Sequence, residues 1–367
     1  MKVLHICQMI GGLDVYVRNI ITFSSSEFEF VIVRGKDDAS QPVIKQGKRV
    51  REYSIRLYRQ LNLVNDCMAL IQTIRIILKE KPDVIHCHSA KGGFIGRWAG
   101  YLTGVRTLYT PHAFSFLCTD SKPKMHFYIW LEKSAKLKSC LLACSNSEQR
   151  LGIEVVGYRK ERTRVWHHVV SDTPHVDTVI KQDINKPYIC YIGRPSFQKN
   201  TFFLLDVVKE VHDRHPEVKF YLLGAGYYSP DTKELKRRIV QYGLEETFEI
   251  LNWMNREEAM KYIDGSLLYL SVSRYEGFPQ ALIEAMSMGK AVIASDVIGN
   301  KEWIKPGENG YLLPLDISAF VEKLCLLIEK DNLREEMGKK SMALYEKCFL
   351  NDDRICVLEE IYRRQQI

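Results

Sequence analysis

The sequence predicts an α/β protein made of two doubly wound parallel sheets, on three observations. Strand-like apolar runs alternate with helix-period segments up to about residue 150, and the alternation restarts at Tyr188. Several of these strands run into glycine turns, the place where open α/β sheets hold ligand groups. Between the two series lies Ser171–Pro187, polar and carrying Pro174 and Pro187, which reads as a linker.

The first series opens with a strand at Val3–Cys7, a helix over Leu13–Phe23 and a strand at Phe28–Val33. A helix over 64–80 follows, with apolar positions Val64, Met68, Ile71, Ile74 and Leu78. Asp83–Cys87 is a strand, Gly92–Leu102 a helix and Thr107–Tyr109 a strand. A helix near 124–136, a strand at Ser139–Cys144 and a short helix from Ser147 complete it. Residues 36–62 are polar and basic and carry no clear period. In the second series, strands fall at Tyr188–Ile192, Lys219–Leu223, Thr247–Leu251, Ser266–Val272 and Ala291–Ala294. The helices are Thr201–His212, Leu235–Tyr242, Arg256–Ile263, one after Pro279 that Gly289 would stop, and a helical region beyond Ser318. The expected domains are 1–172 and 183–349, with a helix at about 350–367 returning to the first.

At 367 residues and 46% apolar composition the chain can fill two cores. It lacks the roughly 18-residue apolar run of a membrane span, and its start turns polar too soon for a secretory signal. Ten scattered cysteines without a Cys-x-x-Cys pair point to free thiols in a reducing compartment. Cys87 between His86 and His88 suggests a metal, but alternate strand residues face opposite ways and the three cannot converge on one ion. The net charge of +7 is uneven: residues 1–180 hold 26 Lys and Arg against 16 Asp and Glu, residues 181–367 26 against 29. The basic first half suits an anionic membrane surface or a phosphorylated acceptor. No helix-turn-helix, zinc-finger or RNA-binding signature points to nucleic acid.

The richest stretch is Ser271–Lys290, SVSRYEGFPQALIEAMSMGK. Gly277, Phe278 and Pro279 turn the chain into a helix, and the amides near Phe278, Gln280 and Ala281 offer an anion cradle. Glu276 and Glu284 flank it, and carboxylates suit hydroxyls. A nucleotide sugar presents both groups. Gly193-Arg194 after a strand, with Lys199 five residues on, could grip a diphosphate or form a solvated basic loop. Leu223-Gly224-Ala225-Gly226 is a further glycine turn, and Gly11-Gly12 follows the first strand without the full Gly-x-Gly-x-x-Gly of a dinucleotide site. In the first half, His88 and Lys91 of His-Ser-x-Lys-Gly-Gly could meet an anionic acceptor or merely cap a helix, and His112 lies just past a strand end.

Glu-Gly-Phe-x5-Glu-Ala-Met-x-x-Gly resembles the donor segment of family 4 glycosyltransferases, retaining enzymes of the GT-B fold; Ala291 replaces the usual proline. Thr110-Pro111-His112-Ala113-Phe114 resembles members that build bacterial surface polysaccharides. The resemblance implies two Rossmann-like domains facing across a cleft, and transfer of a hexose from a nucleotide diphosphate sugar, with a UDP-sugar the expected donor, to a glycan or lipid-linked hydroxyl. It implies a donor site of Gly11, Gly12, Gly193, Arg194, Lys199, Gly224, Gly226 and Glu276–Leu282, with Glu284 on the ribose and Glu276 and His112 at the sugar. Arg194 and Lys199 would neutralise the leaving diphosphate without metal or cofactor, consistent with the lack of Asp-x-Asp, and no dedicated nucleophile is expected. The expected place is the cytoplasm, peripheral on the membrane's inner face. A UDP-sugar epimerase or hydrolase and a non-catalytic sugar-nucleotide sensor share these features. Glu302 matches the family's Gly-Gly-x-x-Glu only in part, and His167-His168 stands where the family has Asn-Gly, with no role evident from the sequence.

Overall fold

The computed structural model describes residues 1–36, 38, 41–58, 60–169, 187–226, 229–349 and 353–364. The linker at Ser171–Pro187 lies, Pro187 apart, outside them. Two compact units divide the chain: Met1–Ser171 with Asp352–Ile367, and Asp172–Asn351.

The first unit runs β1 (Lys2–Cys7), α1 (Gly12–Phe23), β2 (Glu29–Gly35), a small hairpin β3 (Ile44–Lys45) and β4 (Lys48–Arg49), β5 (Arg51–Ile55), α2 (Leu63–Glu80) and β6 (Val84–His88). It continues through α3 (Ser89–Thr103), β7 (Arg106–Thr110), α4 (Lys122–Ala135), β8 (Cys140–Ala143), α5 (Asn146–Leu151) and β9 (Thr163–Val165). Seven strands form a parallel sheet in the order β5-β2-β1-β6-β7-β8-β9. β1 and β6 are buried along almost their whole length, as strands covered on both faces must be. Each fully buried Ile or Leu of these strands contributes about 1.5–3 kcal/mol. The order reverses between β1 and β6, the switch point where such sheets bind ligands.

The helix expected from Gly92 is α3, which starts three residues earlier, at Ser89, so that Lys91, Gly92 and Gly93 form its first turns rather than a loop before it. A Cβ on Gly93 would fall 2.1 Å from the Tyr109 ring, so the helix can sit this close to the sheet only without one. Arg97 on the same helix stacks on Tyr109 at 3.8 Å and pairs with buried Glu132 of α4 at 2.8 Å. α2 also departs from expectation. The helix is where the period put it, but Val64, Met68, Ile71 and Leu78 point to solvent while Ala69, Thr73, Ile76 and Ile77 are buried. α4 splits its apolar side chains between two environments: Met125, Tyr128 and Ile129 pack on the core, and Phe127 and Trp130 stay exposed between lysines.

The second unit runs β10 (Tyr188–Ile192), α6 (Thr201–His212), β11 (Lys219–Ala225), α7 (Thr232–Tyr242), β12 (Phe248–Asn252), α8 (Arg256–Asp264), β13 (Tyr269–Ser271) and α9 (Gln280–Ser287). β14 (Val292–Ser295), β15 (Gly310–Leu313), α10 (Ile317–Glu329) and α11 (Asp331–Phe349) follow. Its six strands are parallel, in the order β12-β11-β10-β13-β14-β15, with the switch point between β10 and β13. The last helix, α12 (Asp353–Arg363), belongs to the first unit. Its Tyr362 hydroxyl lies 2.7 Å from His86 Nδ1, and Trp166 donates to Arg354 O at 2.8 Å.

Candidate active site

In the second unit the residues read from the sequence gather at the C-terminal ends of the strands. The turn after β10 carries Gly193 and Arg194, and its Gly193 N–H donates to Leu223 O of β11, which places it beside the Gly224–Gly226 turn. Lys199 reaches from this turn to Glu276 beyond β13, Nζ to Oε1 at 2.6 Å. Ser273 Oγ donates to the same oxygen at 2.6 Å, and Gln198 Nε2 lies 3.4 Å from Oε2. The Glu276 backbone is fixed by its N–H to Ile298 O, and by Gly299 (φ 88°), where a Cβ would lie 2.8 Å from Glu276 Cβ. Glu302 follows in a short turn, Asn300–Glu302.

α9 begins at Gln280 behind Pro279. Gln280 N–H turns back to Phe278 O, and the helical ladder starts with Ile283 N–H to Pro279 O. The amides of Ala281 and Leu282 precede that ladder, the arrangement that suits an anion. Phe278 packs edge-on against Trp303 and Phe349, 6.1 Å from each, which holds the turn from behind. Glu284, buried on α9, accepts from Arg256 Nε at 2.7 Å and from Gln280 Nε2 at 3.2 Å. The sequence reading missed Arg256. It starts α8 (Arg256–Asp264), where the helix dipole disfavours a cation, and that placement is the one signal that could have marked it. It also missed Trp253, which is 72% exposed and stands next to the Gly224–Gly226 turn, donating its N–H to Ala225 O.

In the first unit Gly11 caps α1 with φ 61°, and Gly12 opens the helix. Lys91 is not free for an anionic acceptor; its Nζ is paired with Asp66 of α2 at 2.6 Å. His88, expected to meet that acceptor, is fully buried, its nitrogens 2.9 Å from His5 Nδ1 and 3.1 Å from His112 Nε2. His112 is the one member of this row whose residue keeps some solvent exposure, though its imidazole is enclosed by protein. It ends β7's turn with φ 52°, followed by Ala113 at φ 74°, and Ser89 after β6 has φ 56°. Three non-glycine residues in left-handed conformation at two adjacent strand ends mark a strained, over-determined corner. Glu148 holds it, accepting from Ala113 N and Cys144 N at 2.7 Å each. The His112 ring stands edge-on to Tyr16 at 4.4 Å, and burial drives its imidazole down to about 3. His168, without a role in the sequence reading, stacks on Tyr16 at 4.6 Å, and His167 Nδ1 lies 3.1 Å from Cys144 O.

Residues 10–174 match the family described as Glycosyltransferase Family 4, and residues 176–343 match Glycosyl transferases group 1. With both halves accounted for, the chain belongs to the family 4 glycosyltransferases, and its two doubly wound sheets give it the GT-B fold. It is 27% identical over 297 residues to the UDP-Gal:alpha-D-GlcNAc-diphosphoundecaprenol alpha-1,3-galactosyltransferase of Escherichia coli, spanning 77% of this chain and 76% of that one. To the capsular polysaccharide biosynthesis glycosyltransferase CapM of Staphylococcus aureus it is 23% identical, over 91% and 92%. In fold it resembles HepE of Anabaena, determined with UDP and glucose, at TM-score 0.81 and 20% identity over 99% of this chain and 98% of that one.

Proposed function

We propose that this glycosyltransferase moves a hexose from a UDP-sugar to a hydroxyl of a lipid-linked or glycan acceptor, with retention, during surface polysaccharide assembly. The observation that carries the reading is the Lys199–Glu276 pair, which brings a cation and a hydroxyl-reading carboxylate from two strand-end turns to the start of α9, where the Ala281 and Leu282 amides precede the helical ladder. In this reading the diphosphate lies against the Ala281 and Leu282 amides, with Arg194 and Lys199 offsetting the charge that builds on it as the glycosidic bond breaks. Glu276 accepts from sugar hydroxyls and Glu284 from the ribose. Trp253 offers an apolar face to the base beside Gly226. The first unit takes the acceptor, with His112 at the sugar. UDP and a diphospholipid acceptor are supported by the relatives' descriptions.

The acceptor side also bears on place. No helix among the described residues is long and apolar enough to cross a membrane. α4 instead sets exposed Phe127 and Trp130 beside Lys122, Lys124 and Lys133, a composition suited to the interface of an anionic bilayer. We read the enzyme as cytoplasmic and peripheral on the inner face.

A thermal-shift panel of UDP-, GDP- and ADP-sugars, followed by a transfer assay, tests the reading. Stabilisation by UDP-sugars and transfer to a diphospholipid glycan support it. Free sugar or an epimer formed without acceptor indicates a hydrolase or epimerase, and binding without turnover on any acceptor indicates a sensor.

A further inference from the structure

The donor reading leaves a row of buried imidazoles in the first unit unexplained. β1 and β6 pair in register with His5 beside His86. His86 and His88 lie two residues apart on one strand, so all three rings share a face of the sheet. His5, His86 and His88 bring ring nitrogens within 4.8 Å of one another. A cation is a poor occupant. His86 already has Nδ1 at 2.7 Å from Tyr362 Oη and Nε2 at 2.8 Å from Thr110 Oγ1. Among the described residues the cluster consists of these three imidazoles alone, with no carboxylate or thiolate joining them to offset a dication.

The remaining contacts form a chain: His5 Nδ1 to His88 Nε2 at 2.9 Å, then His88 Nδ1 to His112 Nε2 at 3.1 Å. It stops at His5 Nε2, which is buried with no hydrogen-bond partner. A neutral imidazole has one N–H and one lone pair, so a chain of three has two senses. If His112 donates from Nε2 to His88 and His88 to His5, the proton of His5 is left on Nε2 as a buried donor without an acceptor. If His5 donates from Nδ1 to His88 and His88 to His112, the closed end is only a lone pair. Orphaned buried N–H groups are the rarer and costlier of the two.

We propose that His5 and His88 are positioning residues that fix His112 as the Nδ1–H tautomer, its Nε2 lone pair engaged inside the protein. Its single donor, Nδ1–H, then faces Cys144 Sγ at 3.7 Å, a weak acceptor from which a ligand hydroxyl or ring oxygen can take it over. The left-handed backbone at His112 and Ala113 holds the ring in that direction. For its functional consequence this rests on the reading that His112 meets the donor sugar: His112 donates a hydrogen bond there and accepts no proton.

The test is long-range 1H–15N correlation of the imidazoles in the full chain labelled with 15N-histidine, His112 being assigned by its loss in His112→Gln. The expected spectrum has His112 Nδ1 in the protonated shift range and Nε2 in the lone-pair range; the reverse overturns the proposal in the wild type, without any variant. His5→Leu and His88→Leu should each release His112 into mixed tautomers, with an averaged pair of shifts, while His5→Gln, whose amide can still donate, keeps the wild-type pattern. An unchanged Nδ1–H signature in both leucine variants overturns the roles given to His5 and His88. Adding UDP-glucose, then UDP alone, separates the two readings. A shift of the His112 Nδ1–H with UDP-glucose and not with UDP supports the donor role. If neither moves a correctly assigned Nδ1–H, the donor reading falls and the tautomer stands.

Discussion

Lys199 Nζ lies 2.6 Å from Glu276 Oε1, joining the turn after the first strand of the second unit to the turn before its central helix. The side chain of Glu276 is 8% exposed and that of Lys199 24%, so removing the lysine leaves a largely buried carboxylate with only Ser273 and Gln198. Lys199→Ala should therefore cost about 1–3 kcal/mol of stability. Glu276→Gln with Lys199→Ala should recover part of it in a double-mutant cycle by urea unfolding. Strict additivity would mean the pair carries no coupling.

Arg194→Ala should behave differently. It is expected to slow transfer by tenfold or more, on the order of 1.4 kcal/mol of barrier, while the urea midpoint moves little. Near-normal turnover of the Arg194→Ala, Lys199→Ala double variant would mean that the diphosphate is held elsewhere.

Glu284 is the ribose reader in the donor reading, and Arg256 is its partner at 2.7 Å. Glu284→Ala should weaken UDP binding by about 1.5–3 kcal/mol, the range of hydrogen bonds to a charged group. Arg256→Ala should weaken it less, since the carboxylate remains with Gln280 to orient it. Calorimetry giving wild-type UDP affinity for a folded Glu284→Ala would take that residue off the ribose.

Burial holds His5, His112 and His168 down to about 3, far below the ordinary histidine value. Unfolding lets each take up a proton below about 6.5, so this stability is intact above that pH and is lost as pH falls towards 3. Between pH 7.5 and 5.5 each should cost the fold on the order of 1 kcal/mol. Unfolding of the first unit, followed by an observable confined to it, should shift by that much less in His5→Phe if the variant folds. A pH-independent midpoint over that range would contradict neutral, buried imidazoles.

The attachment reading predicts co-sedimentation with anionic but not neutral vesicles at low salt. Each basic residue near such a surface adds on the order of 1 kcal/mol. Changing Lys122, Lys124 and Lys133 to Gln should abolish it. Protein that stays in the supernatant with anionic vesicles would rule it out.

The second unit was nearly legible in the sequence because its strands are continuous apolar runs between turn residues: the strand at Tyr188–Ile192 and the helix at Thr201–His212 fall where they were expected. The strands at Thr163–Val165 and Gly310–Leu313 were not read, being three and four residues long and only partly buried. The helix over 63–80 was found but its buried side was not, because it carries apolar residues on more than one face and nothing local says which one meets the sheet. Strand alternation correctly separates Cys87 from His86 and His88. It cannot supply His5, which joins them from a neighbouring strand through register alone. In the same way Glu276 and Glu284 were visible as chemistry, while their partners Lys199 and Arg256 are set by where other strands and helices end.

The last helix of the described chain belongs to the first unit, with Tyr362 bonded to His86 inside its core and Ile361 and Tyr362 carbonyls accepting from Arg106. On the ribosome, residues 353–364 emerge after everything else described here. The unit translated first is therefore the one that finishes last: its sheet must wait with one flank uncovered while the second unit, contiguous in the chain, can close on its own. Chains held on the ribosome through a C-terminal spacer that lets residues up to 351 clear the exit tunnel should contain a protease-resistant second unit and a first unit still open to attack, inverting the usual N-to-C order of domain completion.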